Sequence, residues 1–314
     1  MSGEGTRPAC FGKLPFWREY LEVGIGHPTA RALKEWMLRG KQESAMDQAE
    51  EGYRDVPVES RLRILFGVDG SRELLAGVLR PSRDAGGRHY PFVLFTHFPR
   101  RLYGRHFSLL PLALTPVWRA LDDAWDALAE STDREGFQEA LDSLELPALA
   151  AAKVARGDFQ GREGESADEL FAAPAASRAE LTRSLPGLLE RLPRSGADGL
   201  SVQLPVNREV DEACFDASFW IELINRQFRL RRFEPSVFLD EHPESRERAV
   251  VLRFGLPRPA DYVSIVSRPR VEAFLRPAHA APEGGSDPPS HEKSDTYAEL
   301  LACRFRSGRT PADA

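Results

Sequence analysis

Two apolar strands that tolerate cover on both sides constrain this chain more than any other feature. Residues 73–98, ELLAGVLRPSRDAGGRHYPFVLFTHF, read as two strands joined by a polar turn containing Gly86 and Gly87. Along the second strand Tyr90, Phe92, Leu94 and Phe98 fall on one side, and Val93, Phe95 and His97 on the other. Apolar residues on both sides suit a central strand with both faces covered. The glycines supply the positive φ that a tight reversal needs. Small polar side chains and an arginine beside such a turn also offer an anion site. A hairpin loop with a solvated arginine is the plainer reading of the same residues.

The remaining sequence supplies further strands and the helices to cover them. Residues 10–23 read as one strand or a pair of short ones, interrupted at Pro15. Pro28 starts a helix with Leu33, Trp36 and Met37 on one face, and Gly40 is its expected stop. Leu62, Ile64, Phe66 and Val68 alternate with Arg61 and Arg63, the pattern of a half-buried strand. Thr115-Pro116 predicts an N-cap and first-turn proline for a helix striped by Val117, Leu121, Trp125 and Leu128. A second helix is expected over 133–144. Further elements follow: a strand at 200–206, a helix at 211–228, strands near 236–239 and 249–254, and a short helix from Pro259.

This order predicts an α/β protein of the α+β type: a mainly antiparallel central sheet covered by helices in αβα layers. The expected organisation is an N-terminal α/β region over 1–147 and a helical or mobile insertion over 148–198, with one helix near 177–192. A C-terminal α/β region over 199–275 completes the fold, and a largely disordered tail occupies 276–314. Within that tail Thr296–Phe305 reads as a short helix or docking segment.

Bulk properties narrow the function classes. With 314 residues, 42% hydrophobic and 29% charged, the chain falls among globular proteins with room for a large core. A net charge of −6 gives no reason to expect nucleic-acid binding. No apolar run approaches the roughly 20 residues of a membrane helix, and the N-terminus lacks the order of a secretory signal. Three widely spaced cysteines argue against a disulfide framework and for a reducing, cytoplasmic compartment.

Catalytic patterns are missing. His89, His97 and His106 have no CxxC or HExxH companion. His89 and His97 would lie roughly 26 Å apart along a regular strand, so no metal or other cofactor is expected. Ser82, Asp84 and His89 do not form a G-x-S-x-G elbow, and no phosphate-binding or dinucleotide glycine pattern occurs. Asp122-Asp123 reads as a solvated face, and Arg226, Arg229, Arg231 and Arg232 as positive charge at a helix C-terminus. Trp36, Trp125 and Trp220 are expected in the core, while Trp17 is the better candidate for an exposed anchor.

Three segments carry a resemblance. The run G-V-L-R-P-S-R-D-A-G-G-R-H-Y-P-F resembles the "PS-D-GR-(F/Y)P" core of the TagF (ImpM) family, which is associated with bacterial type VI secretion. Phe11-Gly12-Lys13-Leu14-Pro15 is similar to that family's "FGKLP" signature, and Phe254-Gly255-Leu256-Pro257-Arg258-Pro259 to its "GLP-P--F" element. The resemblance implies a non-enzymatic cytoplasmic accessory regulator of type VI secretion. It is expected to repress after translation by contacting the forkhead-associated scaffold protein of the apparatus. It further implies a binding surface at Ser82, Asp84, Gly87 and Arg88, with Phe11, Gly12, Lys13 and Pro15 nearby if the first strand packs beside the hairpin. Two alternatives stay open: a small-ligand or phosphate-binding enzyme using the Ser82–Asp84–Arg88 loop, and a structural component of the secretion assembly.

Overall fold

The computed structural model describes residues 7–50, 60–165, 167, 201–206, 209–228, 234–240, 248–266, 297 and 301. The strands are β1 (Pro8–Gly12), β2 (Leu21–Val23), β3 (Leu62–Gly67), β4 (Glu73–Arg80), β5 (Phe92–Pro99), β6 (Ser201–Pro205), β7 (Ser236–Asp240) and β8 (Ala249–Arg253). They form one eight-stranded sheet in the order β2-β1-β5-β4-β3-β7-β8-β6, with every neighbouring pair antiparallel. The β4–β5 hairpin lies in the middle, paired from Glu73↔Pro99 to Arg80↔Phe92, as its two-sided apolar sequence requires.

Helices cover both faces. On one face α1 (Pro28–Glu50) and α7 (Pro259–Val266) pack over Ile64, Phe66, Leu75, Val93, Phe95 and Phe238. The other face carries α2 (Leu110–Ala113), α3 (Thr115–Ala129), α4 (Arg134–Asp142), α5 (Ala152–Arg162) and α6 (Val210–Phe228). The result is the α+β fold with αβα layers. Trp36, Trp125 and Trp220 are buried, while Trp17 is half-buried against the core. Cys10 and Cys214 are buried thiols, and burial pushes the Cys10 thiol up to about 12 against a lowering contact from the Val23 backbone.

Several local expectations are corrected by tertiary packing. Gly40 does not end α1. The helix runs through it, and a Cβ there would come within 2.2 Å of the Tyr262 Cβ, so glycine is needed for α7 to approach. Tyr90 precedes β5, beyond Pro91, and joins the α1 face rather than the side of Phe92 and Leu94. Thr115 lies inside α3 and donates to the Leu112 carbonyl at 2.9 Å, with Leu114 as the N-cap.

The largest correction concerns β3, which is buried on both sides. Arg63 and Arg80 point under α3, where Asp122 accepts from both. Arg63 also reaches Asp211 at 3.4 Å, and Asp211 pairs with Arg119. Asp122 is therefore half-buried between two arginines, not part of a solvated face. Two guanidinium groups are kept under a helix because carboxylates go in with them.

In the stretch expected as an insertion, α5 buries Ala155 and Phe159, and Phe159 lies 5.2 Å from Phe215 on α6. The helix expected near 177–192, most of the 276–314 tail, and Arg229, Arg231 and Arg232 lie outside the described residues. Arg226 itself pairs with Glu222 and Glu163. Tyr297 and Leu301 are described and buried, and the Tyr297 hydroxyl donates to Asp216 at 2.6 Å. Tyr297 thus docks on α6, and Leu301 belongs to the same core cluster.

Candidate functional site

The loop between β4 and β5 turns back on itself and onto the segment after β1. Antiparallel pairing of β1 with β5, Phe11 opposite Val93, brings Gly12 and Lys13 beside the start of β5. At Gly12 the backbone adopts φ +146°, and a Cβ would meet the Phe92 Cα and Pro91 carbonyl at 2.6 Å. Only glycine lets these two backbones lie so close. Inside the loop, Gly87 has φ +80° and donates its amide to the Asp84 carbonyl at 2.9 Å. The Asp84 amide in turn donates to the Arg88 carbonyl at 3.0 Å.

Asp84 is the hub. It is only 2% exposed. One carboxylate oxygen accepts from the Gly86 amide at 2.9 Å and the Arg88 amide at 3.0 Å. The other accepts from Lys13 Nζ at 3.0 Å and Arg88 Nε at 2.7 Å. Burial pushes the Asp84 carboxyl up, but the Lys13, Gly86 and Arg88 hydrogen bonds outweigh it. They hold the group far below the ordinary carboxylate range. Lys13 Nζ also donates to the Arg18 carbonyl at 3.2 Å and lies 4.8 Å from the Tyr20 ring centre. The Ser82 hydroxyl donates to the Lys13 carbonyl at 2.7 Å, and the Ala85 amide to the Trp17 carbonyl at 3.2 Å.

The eight residues singled out from the sequence therefore come together, but they divide in role. Phe11, Gly12, Lys13 and Asp84 are buried, and Ser82 is half-buried; these build the loop. Pro15, Gly87 and Arg88 face outward, with Arg83, Ala85 and Gly86 beside them. The Arg88 side chain is 69% exposed although it pairs with Asp84. Cationic Lys13 and Arg88 already face the Asp84 charge, so an incoming anion would compete with a carboxylate that is in place. What the arrangement presents is a rigid, basic, glycine-containing rim.

Below the rim the first motif and the loop meet in the core cluster under α1, through Phe11 and Tyr90, and the third motif touches that cluster through Trp36. Phe11 stacks on Tyr20 at 5.3 Å, and Tyr20 meets Tyr90 edge-on at 5.0 Å. The Trp36 indole donates to the Arg258 carbonyl at 3.0 Å and packs on Tyr262 at 5.4 Å. Burial, with neighbouring tyrosines, pushes the Tyr90 and Tyr262 phenols far above their usual range, so both stay neutral. The Lys13–Asp84 contact escaped sequence reasoning because 71 residues separate the partners. The only available signal was that both belong to motif segments.

Residues 9–144 match the family model described as TagF N-terminal domain, Type VI secretion system-associated. The matched residues include the first motif and the loop; the Phe254–Pro259 segment lies beyond them. No curated protein matches the chain. Among solved structures, PA0076 from Pseudomonas aeruginosa PAO1 is similar at 15% identity with a TM-score of 0.44, covering 90% of this chain and 100% of that one.

Proposed function

We propose that this chain, whose residues 9–144 match the TagF N-terminal domain family model, is a non-enzymatic accessory regulator of a bacterial type VI secretion system. In this reading it represses after translation, in the cytoplasm, by contacting the forkhead-associated scaffold of the apparatus. The family match carries the reading. The loop supports a contact role: its charged residues hold the backbone in shape while Pro15, Arg83, Gly87 and Arg88 stay outside. Among the described residues no helix is long and apolar enough to cross a membrane.

The direct test is titration calorimetry of the purified chain with the forkhead-associated scaffold from the same host. A variant carrying Arg83→Glu and Arg88→Gln is titrated alongside, after its thermal midpoint is matched to wild type. Wild-type binding that the variant loses supports the partner and the rim together. Binding by both keeps the partner and moves the surface. No binding by wild type at micromolar concentrations overturns the partner. Deletion of the gene is expected to raise type VI secretion output; a fall overturns the sign.

A further inference from the structure

At the far end of the hairpin from the loop, three side chains converge that no motif contains. Leu75 on β4 lies opposite His97 on β5, and Glu73 is two residues before Leu75, so Glu73 and His97 are diagonal neighbours on the α1 face. His27 closes the turn into α1, its carbonyl accepting from the Arg31 amide at 3.0 Å. The start of α1 is pinned to the start of β4. The Thr29 and Ser71 hydroxyls lie 2.9 Å apart, Thr29 Oγ1 donates to the Glu73 carbonyl at 3.3 Å, and the Glu73 amide donates to Ser71 Oγ at 3.2 Å. His27 Nε2 sits 2.9 Å and His97 Nδ1 3.8 Å from the same Glu73 oxygen, and one donor atom from each residue lies within 4.8 Å of the others.

The second observation is a set of buried imidazole nitrogens without hydrogen-bond partners: His27 Nδ1 and both nitrogens of His97. The Gly24 backbone lies near His97, outside hydrogen-bond geometry. Buried polar atoms are nearly always paired, and an orphan marks the place of an ordered water or an ion. Four ligands at about 2.0–2.1 Å around a tetrahedral metal stand roughly 3.4 Å apart, and the two measured spacings bracket that value. All three side chains are half-buried, which leaves a side open to solvent.

We propose that His27, Glu73 and His97 form a binding site for a divalent first-row transition ion of the zinc class, with the fourth position open to water or another ligand. Two imidazoles and one carboxylate suit such an ion and do not suit magnesium or calcium, which take oxygen ligands. The ion ties the N-terminal end of α1 to the open end of the β4–β5 hairpin.

The test uses the full chain without a histidine tag, stripped by chelator and titrated with Zn²⁺ by calorimetry and with Co²⁺ by visible absorption. One equivalent is expected, with Mg²⁺ giving no heat. His27→Ala, His97→Ala and Glu73→Gln should each weaken binding at least about tenfold, since loss of a mere supporting contact already costs that much. Circular dichroism and the thermal midpoint of each metal-free variant show that it is folded. Failure of wild type to take up one equivalent at micromolar concentration overturns the site. So does undiminished binding by folded variants, or a cobalt spectrum with thiolate charge transfer, which would put the ion on a cysteine.

Discussion

At the loop end of the β4–β5 hairpin, one buried carboxylate takes hydrogen bonds from two amides, a lysine and an arginine. At the other end, about 24 Å along the strands, a glutamate faces two imidazoles whose remaining nitrogens are unpaired. The same two strands thus end in a saturated polar network and an unsaturated one. A saturated network inside low dielectric holds one geometry and tolerates little change. Half-exposed groups with spare donor capacity can change partners at small cost. The first suits a fixed contact surface and the second a ligand.

The contrast is most easily broken at Asp84. Asp84→Ala strands the buried Lys13 ammonium and two amides, and should cost about 3–5 kcal/mol in urea unfolding; a loss under about 1 kcal/mol would sink the hub. Its pH dependence sharpens the point. Because the folded Asp84 carboxyl is held below its unfolded value, the stability it contributes is fully present above the ordinary carboxylate pKa of about 3.9. That contribution is lost as pH falls through the folded value. The gap between wild type and Asp84→Asn should therefore be flat near neutrality and close in acid.

Gly12→Ala comes next, at about 2–4 kcal/mol, since positive φ strain adds to a clash with backbone that cannot rotate away. Equal stability of this variant and wild type would show that β1 and β5 can separate. Arg88→Ala should change stability by less than about 1 kcal/mol, its side chain being mostly in water. Smallest is Glu73→Gln in metal-free protein, expected within about 0.5 kcal/mol for a half-exposed pair. A large loss there without metal would make the open end as structural as the loop.

Most elements were legible because their signals are local. The alternation read at 200–206 appears as a strand over Ser201–Pro205, and the stripe Val117, Leu121, Trp125 and Leu128 is buried as read; both depend only on neighbours along the chain. Of the candidate site, the sequence held the turn, its glycines and the residue list. It did not hold the division between buried supports and exposed rim. Lys13 looks like a surface residue until β1 pairs with β5 and lays it over Asp84. His97 was set aside because its sequence neighbour His89 could not reach it; the histidine that does lies across the fold, on the turn before α1.

By itself the sequence determined the α+β class, the central hairpin and the glycine-bearing loop, since periodicity and backbone freedom act over a few residues. Only the tertiary structure decided which charges go inside. Arg63 and Arg80 lie under α3, Asp84 is sealed by Lys13, and α1 runs on through Gly40, whose missing Cβ leaves room for Tyr262. A charge can be buried only where an opposite charge and hydrogen-bond donors are delivered to it. Those partners come from strands and helices far away in the chain, so their meeting is a property of the fold and not of any local pattern.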